Sequence, residues 1–462
     1  MQTSKMLILN KTAIIILLSV HFHASESLMT TRHHPNIIPP SHTSYYATKN
    51  KTSSGKQQNK NTNRVHKADE ERYTTNGIVA TASPTTMVQS DRLSNMTLRQ
   101  FLSHNDGFHL GLAPAFFGFF VYFGALAAFN EYVLTEEEIK NGKVLLPVNT
   151  HAKKDILSAH SEPPFTILHT RGSSIDTTRQ QQHEGPGPLL KSIAGASAGA
   201  MAAVLLAAGF DPKESAKFAY TMTVDKFWDF PGVGGLVKGD LFEDIMVRYI
   251  KTSRLSAFQV LEGEGQSACE WEEMDHTLTA NIKLEDSLIP VAVSGFDIIN
   301  RKEKIITKGC MGKAARASAT FPGLFQPCKW KDDDSIHNDA NGEYQYLIDG
   351  GVGDSFGLAG LGHLRPDEKN KRILNLVAGR FGCVGPLGPS QLPNGIHAKE
   401  VVSISIENAP KCGPWAMQNG PIAFQAAMNA IKNVLDAPMY YGDEEGHYVL
   451  HVDVTDYITN NK

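Results

Sequence analysis

The stretch "IAGASAGAMAAVLLAAG" at 193–209 places one hydroxyl, Ser197, between Gly195 and Gly199 and then runs into small apolar residues. Two accounts of it compete. Small residues let a buried helix pack closely, or the turn holds Ser197 in a strained, exposed position where its oxygen can attack an electrophile. The preceding "LLKSIAG" (189–195) reads as a short apolar strand, and Gly209 and Pro212 stop the helix that follows. A strand-to-helix turn of the form G-x-S-x-G needs residues without bulk on both sides of the serine, so that its backbone can take unfavourable angles. The helix then directs its positive end at Ser197, which favours negative charge developing there.

Outward from this turn, strands and helices alternate. "SLIPVAVSGFDII" and "EKIITKG" read as strands, "GKAARASATF" as a helix and "EYQYLIDGG" as a strand ending in a turn. "LVKGDLFEDIMVRYI" is patterned as an amphipathic helix and "GVGGLVKGD" as a turn. "VVSISIE", a helix from about Trp415 to Leu435 and "YVLHVDV" complete the series. Such alternation predicts a layered α/β domain on a largely parallel sheet. "GFHLGLAPAFFGFFVYFGALAAFN" (107–130) lacks Asp, Glu, Lys and Arg and has the length of a membrane span. Its glycines and Pro114 break it instead into a buried strand, a loop and a buried helix.

A serine nucleophile needs a base. Asp349 closes an apolar strand and is followed by Gly350 and Gly351, and strand ends are where α/β sheets gather active-site groups. An Asp-Gly pair also caps an ordinary turn. Burial would raise the carboxylate's proton affinity into the useful range. His363, His397, His447 and His451 follow Asp349, the chain order of Ser-Asp-His hydrolases, so a triad stands as the alternative.

Together these blocks resemble the patatin-like phospholipase family. G-A-S-A-G corresponds to the family's nucleophile turn and Asp349-Gly350-Gly351 to its D-G-[GA]. "GLVKGD" (235–240) and "ARASATFPGLFQP" (315–327) are similar to two further family segments in the same order, with Thr320 where the family has a second alanine. The resemblance spans about 107–360. It implies a three-layer α/β/α sandwich with a mostly parallel central sheet, and a Ser197–Asp349 dyad that cleaves carboxylic esters of phospholipids, glycolipids or acylglycerols at a membrane or lipid-droplet surface, without metal or cofactor. One departure is clear. The family's G-G-G-x-[RK]-G oxyanion loop is replaced by "APAFFGFFVYFGAL" (113–126). Main-chain N–H groups of Phe116, Phe117 and Gly118 are the expected donors, because an oxyanion hole needs backbone rather than side chains. The aromatic rings would line an acyl site. A catalytically weak, membrane-associated protein of the same fold is the other alternative.

Composition narrows the classes. The 462 residues carry 44 basic and 48 acidic side chains, for a net charge of −4, and show none of the basic stripe that nucleic-acid binding requires. The five cysteines form no CxxC pair, which argues against a zinc site or a disulfide framework. At the N-terminus, Lys5 and Lys11 precede the apolar run Ala13–Val20 and small residues near Ala24. That layout predicts a signal peptide over 1–24 and entry into the endomembrane or secretory route. Residues 25–105, polar and without apolar periodicity, are expected to be a disordered or targeting extension ahead of a domain at 106–462. The acidic stretch 256–282 reads as a solvated loop, and "KDDDSIHNDANGE" (331–343) lacks the spacing of a calcium loop.

Overall fold

A computed structural model of the chain describes residues 93–147, 188–229, 233–262, 282–331, 344–378, 387–393 and 395–458. The expected signal peptide, the extension as far as residue 92, and most of the acidic 256–282 and 331–343 stretches lie outside these. The strands are β1 (Leu93–Thr97), β2 (Phe108–Leu112), β3 (Leu190–Ala196), β4 (Gly235–Val237), β5 (Val291–Asp297), β6 (Lys302–Ile306), β7 (Gly323–Phe325), β8 (Cys328–Trp330), β9 (Gln345–Asp349), β10 (Lys371–Ala378), β11 (Ala398–Glu407), β12 (Pro438–Tyr441) and β13 (His447–Asp453). The principal helices are α1 (Phe119–Tyr132), α2 (Ala198–Ala207), α3 (Pro212–Thr221), α4 (Asp240–Glu262), α5 (Met311–Ser318) and α6 (Gly420–Val434).

Among the described residues, eleven strands form one sheet in the order β1-β12-β13-β11-β10-β2-β3-β5-β9-β8, with β6 also on β5. The six central strands from β13 to β5 run parallel, and the antiparallel pairs lie towards the two edges. Side chains alternate across it, as a pleat demands. Ile193, Val293, Leu374 and Ile404 face the helices α1, α2, α5 and α6. Their neighbours Ala194, Ala292, Ile373 and Val401 pack the other way, on Leu358 and Leu361. The molecule is thus an α/β/α sandwich whose second outer layer, among the described residues, is thin: 3₁₀ turns and loops such as Ala359–Gly362 do the covering.

The apolar stretch 107–130 is core. It supplies β2 and α1, and residues 119–129 of α1 are all buried. The Tyr122 hydroxyl donates to the Ala113 carbonyl (2.7 Å) and accepts from the Ala378 N–H, so even the polar end of this helix's largest side chain is satisfied inside. Among the described residues no helix is long and apolar enough to cross a membrane.

Two expectations need correction. The folded part reaches back at least to Leu93, ahead of the expected start near Asp106. Thr97 and Gln100 form a reciprocal capping box at the start of a short helix, Leu98–Ser103, whose Leu98, Phe101 and Leu102 are fully buried. Three apolar residues in so short a helix leave no periodicity to read. Likewise "GVGGLVKGD" is not only a turn. β4 pairs in parallel with β7, Gly235 opposite Gly323 and Val237 opposite Phe325, and α4 starts only at Asp240. Asp229 caps that start, accepting from the N–H groups of Gly239, Asp240 and Leu241.

The buried Arg316 binds this small sheet to α5. Its guanidinium donates to the carbonyls of Lys238, Gly239 and Gln326 and to Thr320 Oγ1. Replacement by alanine removes the side-chain hydrogen bonds that join Lys238, Gly239, Gln326 and Thr320 to this helix. Arg316→Ala is expected to lower stability by about 3 kcal/mol, read as a reduced midpoint of urea unfolding.

Candidate active site

Ser197 joins β3 to α2 with φ 54° and ψ −122°, a region that only the surrounding structure can impose on a residue with a side chain. Both flanking glycines are required by space. A Cβ on Gly195 would sit 2.5 Å from the Gly199 backbone, and one on Gly199 would sit 2.1 Å from the Leu112 carbonyl oxygen. A serine at this position of a helix normally turns its hydroxyl to the first free N–H groups. Ser197 makes no such cap. Its Oγ donates instead to Asp349 Oδ2, at 2.6 Å.

Asp349 arrives from the end of β9, which the sheet places on the far side of β5 from β3. Its main-chain N–H donates to the Thr320 carbonyl, and its Oδ1 accepts from the Gly351 N–H at 2.8 Å. Gly350 is forced by contact too, since a Cβ there would meet the Ser294 carbonyl oxygen at 2.0 Å. Ser197 and Asp349 are 5% and 6% exposed. Burial pushes the Asp349 carboxyl up to about 6, against the opposing pull of the Ser197 and Gly351 hydrogen bonds. Sequence and structure therefore agree on which two groups meet. They also agree on the direction in which burial moves the carboxylate.

One residue of this arrangement carried no expectation. Ser318, the last residue of α5, accepts from the Ser197 N–H (2.9 Å) and donates to the Ser294 carbonyl (2.6 Å). It pins the nucleophile's own backbone. It lies inside the "ARASATFPGLFQP" block, which was the available signal, although nothing local singles out that serine. Asp354 works one layer further out. It accepts from Ser294 Oγ and from the N–H groups of Leu358 and Ala359, so it fixes the loop after Asp349.

Phe116 and Phe117 line the same pocket as Ser197 and Asp349. Phe116 takes φ 50°, the left-handed region ordinarily left to glycine. Gly118 is a correction: its N–H donates to the Ala115 carbonyl at 2.6 Å and closes a turn, so it is spent as an oxyanion donor. The four histidines of the triad alternative do not line this pocket. His363, His397 and His451 are exposed, and His447 is buried at the start of β13. Among the described residues no cluster of His, Cys, Asp and Glu could hold a metal ion.

The raised carboxyl has a stability consequence. Its folded value of about 6 lies above the ordinary 3.8, so ionisation opposes folding. The penalty is absent below pH 3.8 and complete above pH 6, and a rise of that size is worth about 3 kcal/mol. An asparagine can still accept from Gly351 and has no charge to bury. Asp349→Asn is expected to raise the thermal midpoint at pH 8 by several degrees, with the gain shrinking as the pH falls towards 4.

Comparison with known proteins bears on the same residues. The patatin-like phospholipase family model matches residues 173–361. No curated protein sequence matches the chain. Among solved structures, VipD from Legionella pneumophila is 14% identical with a TM-score of 0.36, over 75% of this chain and 61% of that one. The type III effector protein ExoU is 14% identical with a TM-score of 0.30, over 71% and 53%. The ExoU–SpcU complex of Pseudomonas aeruginosa gives 12%, 0.30, 72% and 53%. The chain thus spans between about half and three fifths of the length of these proteins. Ser197 and Asp349 both lie inside residues 173–361, the span that is similar to the patatin-like phospholipase family.

Proposed function

We propose that this domain is a serine acyl hydrolase that cleaves carboxylic esters of membrane lipids or acylglycerols through a Ser197–Asp349 dyad. The observation that carries the reading is the 2.6 Å hydrogen bond from Ser197 Oγ to Asp349 Oδ2, made by a serine whose backbone is held in a strained turn. Ser197 Oγ attacks the ester carbonyl carbon while its proton passes to Asp349. The tetrahedral intermediate collapses, and the departing alcohol takes that proton. Water, deprotonated by Asp349, then attacks the acyl-serine, and the fatty acid is released as Ser197 Oγ takes that proton back from Asp349. The oxyanion is assigned to main-chain N–H groups of Phe117 and of Ala198, the first residue of α2, whose N–H has no partner within its helix. The positive end of α2 adds to the same field.

The glycine-like φ of Phe116 favours this reading over the catalytically weak alternative. The glycine run is gone from the sequence, yet the backbone keeps a conformation that glycine would supply at no steric cost. Such strain persists where the surrounding structure over-determines it, most often at functional sites. Among the described residues, the groups beside Ser197 Oγ in the pocket are Asp349 and apolar side chains, which supports the dyad over a histidine triad.

Hydrolysis of a short-chain p-nitrophenyl ester and labelling by a fluorophosphonate probe test the dyad together. Ser197→Ala should abolish both, and Asp349→Asn should slow hydrolysis by about 10²–10⁴-fold. His→Ala at 363, 397, 447 or 451 should leave the rate within a few-fold of wild type. One folded but inactive histidine variant would transfer the protein to the triad class. A wild type inert to ester and probe would leave the catalytically weak reading in place.

The pH profile follows from the base. Asp349 accepts a proton only as carboxylate, so kcat/KM should fall as the pH drops through about 6 and stay level above pH 7. A solvent-exposed carboxylate would put that fall near pH 4. A profile still flat at pH 5 would remove Asp349 as the base.

A further inference from the structure

Asn95-Met96-Thr97, on β1, has the form Asn-x-Ser/Thr with x other than proline. That pattern accepts an N-linked glycan in chains that enter the secretory route. The same pattern stands at Asn10-Lys11-Thr12 and Asn50-Lys51-Thr52. The first of these falls inside the expected signal peptide, and neither is among the described residues. Asn95 is therefore the one such asparagine whose surroundings the structure describes.

Those surroundings suit a bulky group. β1 lies at the end of the sheet, with β12 on one side and, among the described residues, no strand on the other. The pairing is irregular. Leu93 stands opposite Tyr440 and Thr97 opposite Pro438, so four steps along β1 answer two along β12, and the surplus residues bulge. Ser94 is buried, and its hydroxyl closes the bulge by donating to the Met96 carbonyl (3.1 Å) and accepting from the Met96 N–H (3.2 Å). Asn95 sits between those two residues, at the tip, and is exposed. A glycan joined there extends into solvent without displacing the core. It also stands beside Leu93, 57% exposed on the open edge, a surface that folded proteins keep from pairing with other chains.

Chain order keeps the acceptor open while it is needed. Glycan transfer acts on the extended chain during translocation, before strands pair. β1 takes β12 as its partner, and β12 lies more than three hundred residues later in the sequence. At the usual pace of synthesis Asn95 stays unpaired for roughly 20–70 s. Thr97 then has two successive uses. Its hydroxyl completes the acceptor sequence in the extended chain, and it accepts from the Gln100 N–H once the helix at 98–103 forms.

We propose that Asn95 is an N-glycosylation site, modified as the chain enters the secretory route that the layout of residues 1–24 predicts. The step joins Asn95 Nδ2 to the anomeric carbon of an oligosaccharide carried on a lipid diphosphate, which the compartment supplies together with its transferase. The sugar–phosphate bond breaks, the lipid diphosphate departs with the bonding pair, and the amide proton passes to a base of the transferase. This site is independent of the acyl-hydrolase reading, and its failure leaves that reading untouched.

The test expresses the full chain in a eukaryotic host and removes its glycans with peptide N-glycosidase in heavy-oxygen water. Each formerly glycosylated asparagine becomes a labelled aspartate that peptide mass spectrometry locates. Wild type should carry the label at residue 95 in most of its chains. On gel electrophoresis Asn95→Gln should lose the mobility shift of one glycan. Thr97→Ser, which keeps a hydroxyl for both the acceptor and the helix cap, should retain most of it. Cell-free translation of the same chains with and without microsomal membranes reads the modification whether or not a variant folds. The residue-95 shift should appear only with membranes and disappear in Asn95→Gln. Label at Asn50 with Asn95 bare overturns the site and leaves secretory entry in place. Chains labelled at neither residue overturn the site and the secretory entry together.

Discussion

The turn at Ser197 is the constraint on which the rest of the site depends. Three segments crowd there: the end of β2 at Leu112, the end of β3 and the first turn of α2. Gly199 lies so close to the Leu112 carbonyl that no side chain can separate them. Parallel strands bring such ends together at one edge of a sheet, and β2 pairs directly with β3. The strain in the Ser197 backbone is therefore held by packing around it. The hydrogen bond from its N–H to Ser318 adds a local restraint. What results is a hydroxyl that cannot cap its own helix and is left to the carboxylate beside it.

That carboxylate is the second costly element. Asp349 is held inside the protein with a hydroxyl and one main-chain N–H as its partners and no cation in its hydrogen-bonded shell. Burial wins over those two hydrogen bonds, which is why the group moves up rather than down. A salt bridge would have reversed the sign and made Asp349 a poorer base. Stability and proton affinity are thus set by the same omission. The fold meets the cost elsewhere, through an extensive apolar layer in which α1 and α2 are buried over almost their whole length.

Much of this was legible in the sequence, and the reasons differ by element. The G-A-S-A-G turn and the D-G-G strand end could be read because steric necessity restricts what can stand there. The stretch 107–130 could be read as strand, loop and helix because glycine and proline interrupt it. Ser318 could not be singled out, since its role depends on α5 ending beside a turn more than a hundred residues earlier in the chain. The helix at 98–103 was hidden by its brevity. Gly118 misled because a retained glycine in an oxyanion loop looks like a donor, whereas its N–H closes a local turn with Ala115. Whether an amide is spent locally is decided by backbone geometry, and residue type says little about it.

The two less diagnostic blocks, "GLVKGD" and "ARASATFPGLFQP", acquire a physical reason from Arg316. Its guanidinium reaches carbonyls at 238, 239 and 326 from within α5, so neither segment holds its position without the other. The second block also carries Ser318, which holds the nucleophile's N–H, and Thr320, whose carbonyl receives Asp349. Phe321 and Phe325, on the same short run, line the apolar pocket beside Ser197. One segment of about a dozen residues thus holds the nucleophile and the carboxylate and lines the pocket beside them. A guanidinium buried among backbone carbonyls is the means, because it can satisfy several acceptors from one rigid plane, and a lysine's single ammonium does not match that fork.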